Sequence, residues 1–230
     1  MKMGILPQQA IETLISSGQV IAPSMGTDGQ PPQLQPASLD LRLGHKAYRL
    51  RASFLPGEGR TVEACLPDVH MHEIDLTAGA VLETGCVYLV PLQESLKLPH
   101  NLSAAANPKS STGRLDVFTR VICDGANSFD AVQSGYAGPL YVEIAPRTFS
   151  VLVRPGDRLV QMRFRSGVHK VLDTQTVSID LAGFGEDGVV GWRARRHAGL
   201  VDVSHVGGHA ARDYWEPLYA ADGQLVLAQS

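Results

Sequence analysis

The sequence predicts an all-β fold of the sandwich, jelly-roll or barrel kind, preceded by one short helix. Residues 38–44, SLDLRLG, and 151–164, VLVRPGDRLVQMRF, alternate apolar and polar positions with the period of two that strands have. Glycine, proline, asparagine and aspartate separate such segments at short intervals, and helical periodicity is almost absent after the first twenty residues. Short strands recurring between turn signals are typical of these antiparallel architectures.

The helix is predicted near the N-terminus. A proline suits its first turn, three apolar residues share one of its faces, and a glycine suits its end. These residues are Pro7, then Ile11, Leu14 and Ile15, then Gly18. The next stretch, 23–36, has the composition of a loop.

Strands are predicted from there onward. Residues 48–54, YRLRASF, alternate, whereas residues 78–92, AGAVLETGCVYLVPL, are mostly apolar and β-branched, with glycines as interruptions. Residues 135–144, GYAGPLYVEI, begin with a glycine turn and continue as a strand.

Composition excludes several classes of protein. A net charge of -3 and a pI near 6.2 argue against general attraction to nucleic acid or to an anionic membrane, so an anionic ligand needs a local basic site. No apolar run is long enough to span a bilayer, and the N-terminus becomes polar too early for a signal peptide. Three widely spaced cysteines argue against a disulfide framework. We therefore expect a cytoplasmic protein.

A weak internal repeat predicts two units. Residues 37–44, ASLDLRLG, are echoed at 177–185, VSIDLAGFG, and residues 74–85 are echoed at nearly the same offset at 218–229. We predict a complete unit at 1–168 and the start of a second, incomplete unit at 169–230. Chance similarity between β-rich segments remains the alternative.

Four motifs occur in a familiar order: PASLDLRLG, PKSSTGR, GYAGPLYVEI and RPGDRLVQMRF. In this the chain resembles the dCTP deaminases and the related trimeric dUTPases from the first helix to about Phe164, and it is also similar to the longer tandem-unit bacterial dCTP deaminases. The resemblance implies a distorted β-barrel of the dUTPase-like, or β-clip, kind, assembled as trimers or pseudo-trimers. It implies hydrolysis of dCTP to dUTP and ammonia without a catalytic metal, with dTTP or dUTP as a possible inhibitor or product.

The serine turn, which we define as residues 109–114, is the predicted phosphate site. A triphosphate carries about four negative charges and requires convergent donors. Lys109 and Ser111 are expected to contact phosphates, with Thr112 and Gly113 lining the same loop. Related proteins usually have arginine where Lys109 stands, and lysine lacks the bidentate fork. Mg²⁺ is expected on the phosphate oxygens.

Glu143 is the predicted general acid and base. It lies in an apolar strand, where an idle carboxylate is unfavourable, and strict alternation puts it on the same face as Tyr141. A single carboxyl group can take a proton from the attacking water and later return it. By resemblance, Ser110 holds the water and Arg114 lies near Glu143 as an electrostatic partner.

Further substrate contacts are implied by the same resemblance. Main-chain groups of Tyr141 and Val142 are expected to read the pyrimidine edge, and Gln161 matches a recurrent glutamine of unassigned role. Asp130 is expected to contact the deoxyribose hydroxyl, with Asp124 as a competing candidate. Tyr136 is expected to be the aromatic side chain that packs near this aspartate.

Two other functions stay open: a dUTPase or bifunctional enzyme that releases pyrophosphate, and a non-catalytic nucleotide-binding module with a regulatory role. A zinc deaminase is not expected, because the H-x-E and P-C-x-x-C pattern is missing from the sequence.

Overall fold

The computed structural model describes residues 4–22, 33–167 and 188–219. Their contacts divide them into two compact units. The first contains the described residues up to 167 together with Val201–Ser204, and the second contains 188–200 and 205–219. Among these described residues, no helix has the length and apolar character needed to cross a membrane.

Strands predominate, so the all-β prediction is confirmed. The strands are β1 Gly4–Ile5, β2 Val20–Ile21, β3 Leu34–Gln35, β4 Ser38–Leu41, β5 Lys46–Leu50, β6 His70–Asp75, β7 Ala80–Leu82, β8 Val87–Lys97, β9 Leu102–Pro108, β10 Val117–Cys123, β11 Ala131–Val132, β12 Ala137–Pro146, β13 Val151–Val153, β14 Val160–Ser166, β15 Val189–Ala194, β16 Val201–Asp202 and β17 Trp215–Tyr219. The helices are α1 Gln8–Ser16, α2 Val62–Val69, α3 Ser110–Arg114 and α4 Ala211–Tyr214.

Two large sheets form the first unit. One has the order β11-β9-β14-β4-β3, with β1 also pairing with β14, and the other has the order β10-β12-β8-β5-β6, with β2 also pairing with β8. A small third sheet, β16-β13-β7, contains the parallel pair of β13 and β16. Strand β14 alternates buried and half-buried residues along its length, as its sequence predicts.

Helix α1 agrees with the sequence prediction, whereas α2 was not predicted. Pro7 lies immediately before α1, whose buried residues are Ile11 and Leu14. At the start of α2, the Thr61 side chain accepts a hydrogen bond from the amide of Ala64 at 3.1 Å. A carboxylate from a distant loop accepts another from the amide of Val62 at 2.7 Å. Such capping stabilises a short helix that periodicity does not reveal.

The second unit contains the antiparallel pair of β15 and β17 together with α4. The predicted division at residue 168 and most of the second copies of the repeat lie outside the described residues. The two-unit interpretation with an incomplete second copy therefore stays a prediction.

Candidate active site

Glu143 lies in the middle of β12, a strand with neighbours on both sides. It stands opposite Arg120 of β10 and Leu89 of β8. Residues 140–146 are all buried, because β12 is covered on both faces. Glu143 itself is only 2% exposed. A carboxylate at this depth requires a charged or hydrogen-bonding partner.

Arg120 is that partner. Its Nη2 donates to Glu143 Oε1 at 2.5 Å, and its Nε donates to the same oxygen at 3.1 Å. The pairing follows directly from the register of the two strands, which places the side chains opposite each other. The ion pair is charge-assisted, the stronger kind of hydrogen bond.

Three further residues hold the guanidinium group of Arg120. Nη2 also donates to the hydroxyl of Ser53 at 2.8 Å. The central carbon of the guanidinium lies 3.7 Å from the ring centroid of Phe129 and 5.0 Å from that of Phe118. These distances are within the range of cation–π attraction. The arginine is therefore fixed by its ion pair, a hydroxyl and two aromatic rings.

The second carboxylate oxygen, Glu143 Oε2, is buried and has no hydrogen-bond partner among the described residues. Glu143 lines a cavity of about 170 Å³, which we call the Glu143 cavity. The other lining residues are Ser53, Gly85, Cys86, Val87, Phe118, Arg120, Ala145 and Arg147. The carboxylate thus has one oxygen held by arginine and one oxygen able to accept a proton.

The cavity is small for a nucleotide. Sites for drug-sized ligands usually measure about 300–1,000 Å³, whereas one water occupies about 30 Å³. The 170 Å³ beside Glu143 can hold water or a small ring but not a triphosphate. A complete nucleotide site needs more surface than this cavity provides.

The serine turn lies elsewhere on the chain, at the end of β9 and in α3. None of its six residues, 109–114, lines the Glu143 cavity. Ser110, Ser111, Gly113 and Arg114 are exposed, whereas Thr112 is buried. Within one chain, the structure does not bring Ser110 and Arg114 into the cavity with Glu143. Their predicted catalytic roles stay predictions.

The turn belongs to a separate cluster. The ammonium group of Lys109 pairs with Oδ2 of Asp40, a buried residue of β4. Gln161 of β14 stands opposite Asp40, and its Oε1 accepts a hydrogen bond from the Ser38 hydroxyl at 3.1 Å. The structure therefore places Gln161 beside the predicted phosphate lysine, although its role stays a prediction.

Both aspartates proposed to contact the sugar are engaged with the backbone. Asp130 has a positive φ of 61°, and its Oδ1 accepts a hydrogen bond from the amide of Val121 at 2.8 Å. Burial raises the pKa of the Asp130 carboxyl, although the bond from Val121 opposes this shift. Asp124 is the carboxylate that caps α2 through the amide of Val62. Neither aspartate lines the Glu143 cavity, and the choice between them stays open.

The tyrosines also form internal contacts. The Tyr136 hydroxyl donates to the carbonyl of Pro139 at 2.5 Å and accepts from the amide of Asp124 at 3.3 Å. Burial raises the pKa of Tyr141 to about 12. Tyr141 and Val142 are paired with strands on both sides, so their main-chain groups do not lie at a free sheet edge. Their predicted contact with the pyrimidine is not supported by this placement and stays a prediction.

Sequence reasoning missed Arg120, Phe129 and Ser53. One signal was available for Arg120, because a charged residue in the apolar segment VFTRVIC is itself unusual. A buried acid in one strand and a cation in a neighbouring strand can form an ion pair. Nothing in the sequence indicates that Phe129 and Ser53 would approach the same guanidinium group, because both lie in loops.

Comparison with known proteins gives a consistent result. The model of the N-terminal domain of 2'-deoxycytidine 5'-triphosphate deaminase matches residues 2–168, and the model of the C-terminal domain of the same family matches residues 157–229. A crystal structure of this deaminase from Agrobacterium tumefaciens is 50% identical, with a TM-score of 0.88, over 95% of this chain and 71% of that chain. The sequence-based resemblance and the predicted dUTPase-like fold are therefore confirmed.

Curated relatives are more distant. A dCTP deaminase of Haloarcula marismortui is 30% identical over 138 residues, which is 57% of this chain and 66% of the relative. A dUMP-forming dCTP deaminase of Methanosphaera stadtmanae is 24% identical over 169 residues, which is 71% of this chain and 80% of the relative. The match therefore covers slightly less than two thirds of the haloarchaeal protein.

Proposed function

We propose that this chain, which belongs to the 2'-deoxycytidine 5'-triphosphate deaminase family, hydrolyses dCTP to dUTP and ammonia. One observation carries the proposal. Glu143 is a buried carboxylate beside a cavity, with Oε1 held by arginine and Oε2 without a partner among the described residues. A buried oxygen that receives no hydrogen bond is unfavourable unless a ligand or water donates to it. The oxygen Oε2 therefore indicates a functional role.

The reaction needs one group that moves protons in both directions. In the proposed mechanism, Glu143 Oε2 accepts a proton from water as the oxygen of that water bonds to C4 of cytosine. The carboxyl group then returns the proton to N3 of the pyrimidine ring. It next takes the proton of the new C4 hydroxyl group, which becomes the carbonyl of uracil, and delivers that proton to the amino group. The C4–N bond breaks, ammonia leaves and dUTP remains, so atoms and charges balance.

The rest of the site is proposed to come from a neighbouring subunit. The Glu143 cavity is too small for a nucleotide, and the exposed serine turn is not part of it. Ser110 and Arg114 of one copy, placed against the cavity of another, would supply the water-holding hydroxyl and a second cation. The trimer implied by the family resemblance provides such a neighbour.

Phosphate recognition is proposed at the serine turn. Because Lys109 is paired with Asp40, part of its charge is already balanced. The exposed hydroxyl groups of Ser110 and Ser111 therefore become important donors, together with Arg114. Mg²⁺ is proposed to arrive on the triphosphate, because it prefers phosphate oxygens and water to many protein ligands.

A bifunctional reaction is the second candidate. The relative from Methanosphaera stadtmanae is described as dUMP-forming, and this chain covers 80% of its length. A bifunctional enzyme would release pyrophosphate in addition to ammonia and would leave dUMP. The products therefore distinguish the two reactions.

The decisive experiment is a product assay with the full chain, dCTP and Mg²⁺. We expect equal amounts of ammonia and dUTP, whereas pyrophosphate and dUMP would favour the bifunctional enzyme.

The Glu143→Gln variant tests the proposed acid and base. Its kcat is expected to fall by about 100- to 10,000-fold, the usual contribution of a general acid or base, while dCTP still binds. Glu58→Gln, at an exposed turn residue, serves as the control. Binding of dCTP without any turnover by the wild type would instead support a regulatory module.

A further inference from the structure

The sequence and the comparisons leave Arg120 without a role, yet it is the residue that contacts the proposed catalytic carboxylate. Its side chain is 25% exposed, whereas the Glu143 side chain is 2% exposed. The hydrogen bonds that Nε and Nη2 of Arg120 donate to Glu143 both end on Oε1. The interaction is therefore asymmetric, and it distinguishes the two carboxylate oxygens.

We propose that Arg120, held by Phe129 and Ser53, is a positioning residue that fixes the Glu143 carboxylate so that Oε2 alone acts as the base. This inference rests on the function proposed above. Two donors on one oxygen restrict rotation of the carboxylate about its last bond. The opposite oxygen, Oε2, then keeps one orientation in a residue that lines the Glu143 cavity.

The surroundings of Arg120 fit this role better than a simple charge balance. An isolated ion pair needs only the two charges. Here the guanidinium also lies against the Phe129 ring at 3.7 Å and donates to Ser53 at 2.8 Å. These contacts fix the cation itself, so that it can fix the carboxylate. Lysine cannot reproduce this arrangement, because its ammonium lacks both the planar face and the fork of donors.

A positioning role affects the chemical step more than binding. A reacting group displaced by about 1 Å can lose about 100-fold in rate, because proton transfer requires close alignment. Loss of an interaction that matters only in the transition state lowers kcat while KM changes little. A merely structural ion pair would instead lower the amount of folded enzyme and leave the kcat of the folded fraction unchanged.

The test compares Arg120→Lys, Arg120→Ala and the wild type in the ammonia assay, with kcat based on folded enzyme. For Arg120→Lys, which keeps a charge beside Glu143, we expect a reduction in kcat of about 10-fold or more and a KM for dCTP within about three-fold of the wild type. For Arg120→Ala we expect a larger loss, partly restored by millimolar guanidinium ion. Guanidinium should not restore Glu143→Gln, and Arg51→Ala, at an exposed arginine, should behave as the wild type.

Phe129 provides a second, milder test in case Arg120→Ala does not fold. Phe129→Leu removes the aromatic face and should lower kcat several-fold, whereas Phe129→Tyr keeps the face and should retain activity. An active wild type together with an Arg120→Lys variant of unchanged kcat would overturn the positioning role alone. A folded wild type that releases no ammonia would overturn both this role and the proposed function.

Discussion

Lys109 and Asp40 form an ion pair that joins the exposed serine turn to the buried strand β4. The Asp40 side chain is only 3% exposed and the Lys109 side chain 27%. The residue predicted to meet phosphate is therefore also a structural anchor of its own loop. The ion pair fixes the position of Lys109, and with it the start of the serine turn, against β4.

Removal of either partner is expected to destabilise the protein. Lys109→Met or Asp40→Asn should lower the free energy of unfolding by about 2–4 kcal/mol, somewhat less than a fully buried pair, because each leaves a largely buried polar group without its partner. Urea unfolding followed by fluorescence measures this change. Lys109→Arg keeps the charge and is expected to lose less.

The exposed pair of Lys46 and Glu73 is the matched control. Its side chains are 58% and 51% exposed, so Glu73→Gln should change stability by less than about 1 kcal/mol. Equal losses at Asp40 and Glu73 would contradict the anchoring role of the buried pair.

Complementation between inactive variants is expected if each site combines two subunits. Ser110→Ala and Glu143→Gln should both be inactive or nearly so when each is purified alone. After the two are mixed and allowed to exchange subunits, some sites should contain an intact serine turn from one chain and an intact Glu143 from the other. Recovered ammonia release measures this.

A double variant carrying both substitutions in one chain provides the control, because a mixture of that variant with itself has no intact site. If the mixed single variants exchange subunits but release no ammonia, a site shared between two subunits is contradicted. Activity from a chain shown to be monomeric would contradict it too.

Asp130 is expected to make stability depend on pH in an unusual direction. Burial raises the pKa of this carboxyl above its ordinary value of 3.8. The folded state therefore holds the proton more tightly than the unfolded state, and its contribution to stability falls as pH rises from about 3.8 through the raised pKa. Asp130→Asn removes this titration, so the variant should gain stability relative to the wild type as the pH rises above about 3.8. Urea unfolding of both proteins at a series of pH values measures this difference.

Asp75 offers a comparison of opposite sign. The hydrogen bond from the Thr77 side chain, together with the bond from its amide, lowers the pKa of this exposed carboxyl. Its contribution is therefore present at neutral pH and lost as pH falls through the lowered pKa. At neutral pH, Asp75→Asn should therefore be less stable than the wild type. This difference in the free energy of unfolding should shrink as the pH falls. If the stability of the Asp130 and Asp75 variants relative to the wild type changed in the same direction with pH, the opposite pKa shifts of the two carboxyl groups would be contradicted.

The amino-acid sequence was sufficient for the family, the all-β class and helix α1. These features depend on local patterns: alternation along a strand, turn residues between strands, and motifs in a fixed order. Burial of Glu143 could also be predicted, since its immediate neighbours are apolar on both sides. The predicted partnership of Glu143 with Arg114, by contrast, is not formed within one chain, where Arg120 pairs with the carboxylate.

Only the tertiary structure decided which groups meet. Arg120 contacts Glu143 because the register of β10 against β12 places them opposite each other, and a shift by one residue would turn the arginine to the other face. The Phe129 ring and the Ser53 hydroxyl reach the same guanidinium from loops far apart in sequence. Likewise, Lys109 is anchored by an aspartate 69 positions away. Local patterns specify strands and their buried faces, but long-range pairing arises from the packing of the whole chain, and that packing selected the contacts of the site.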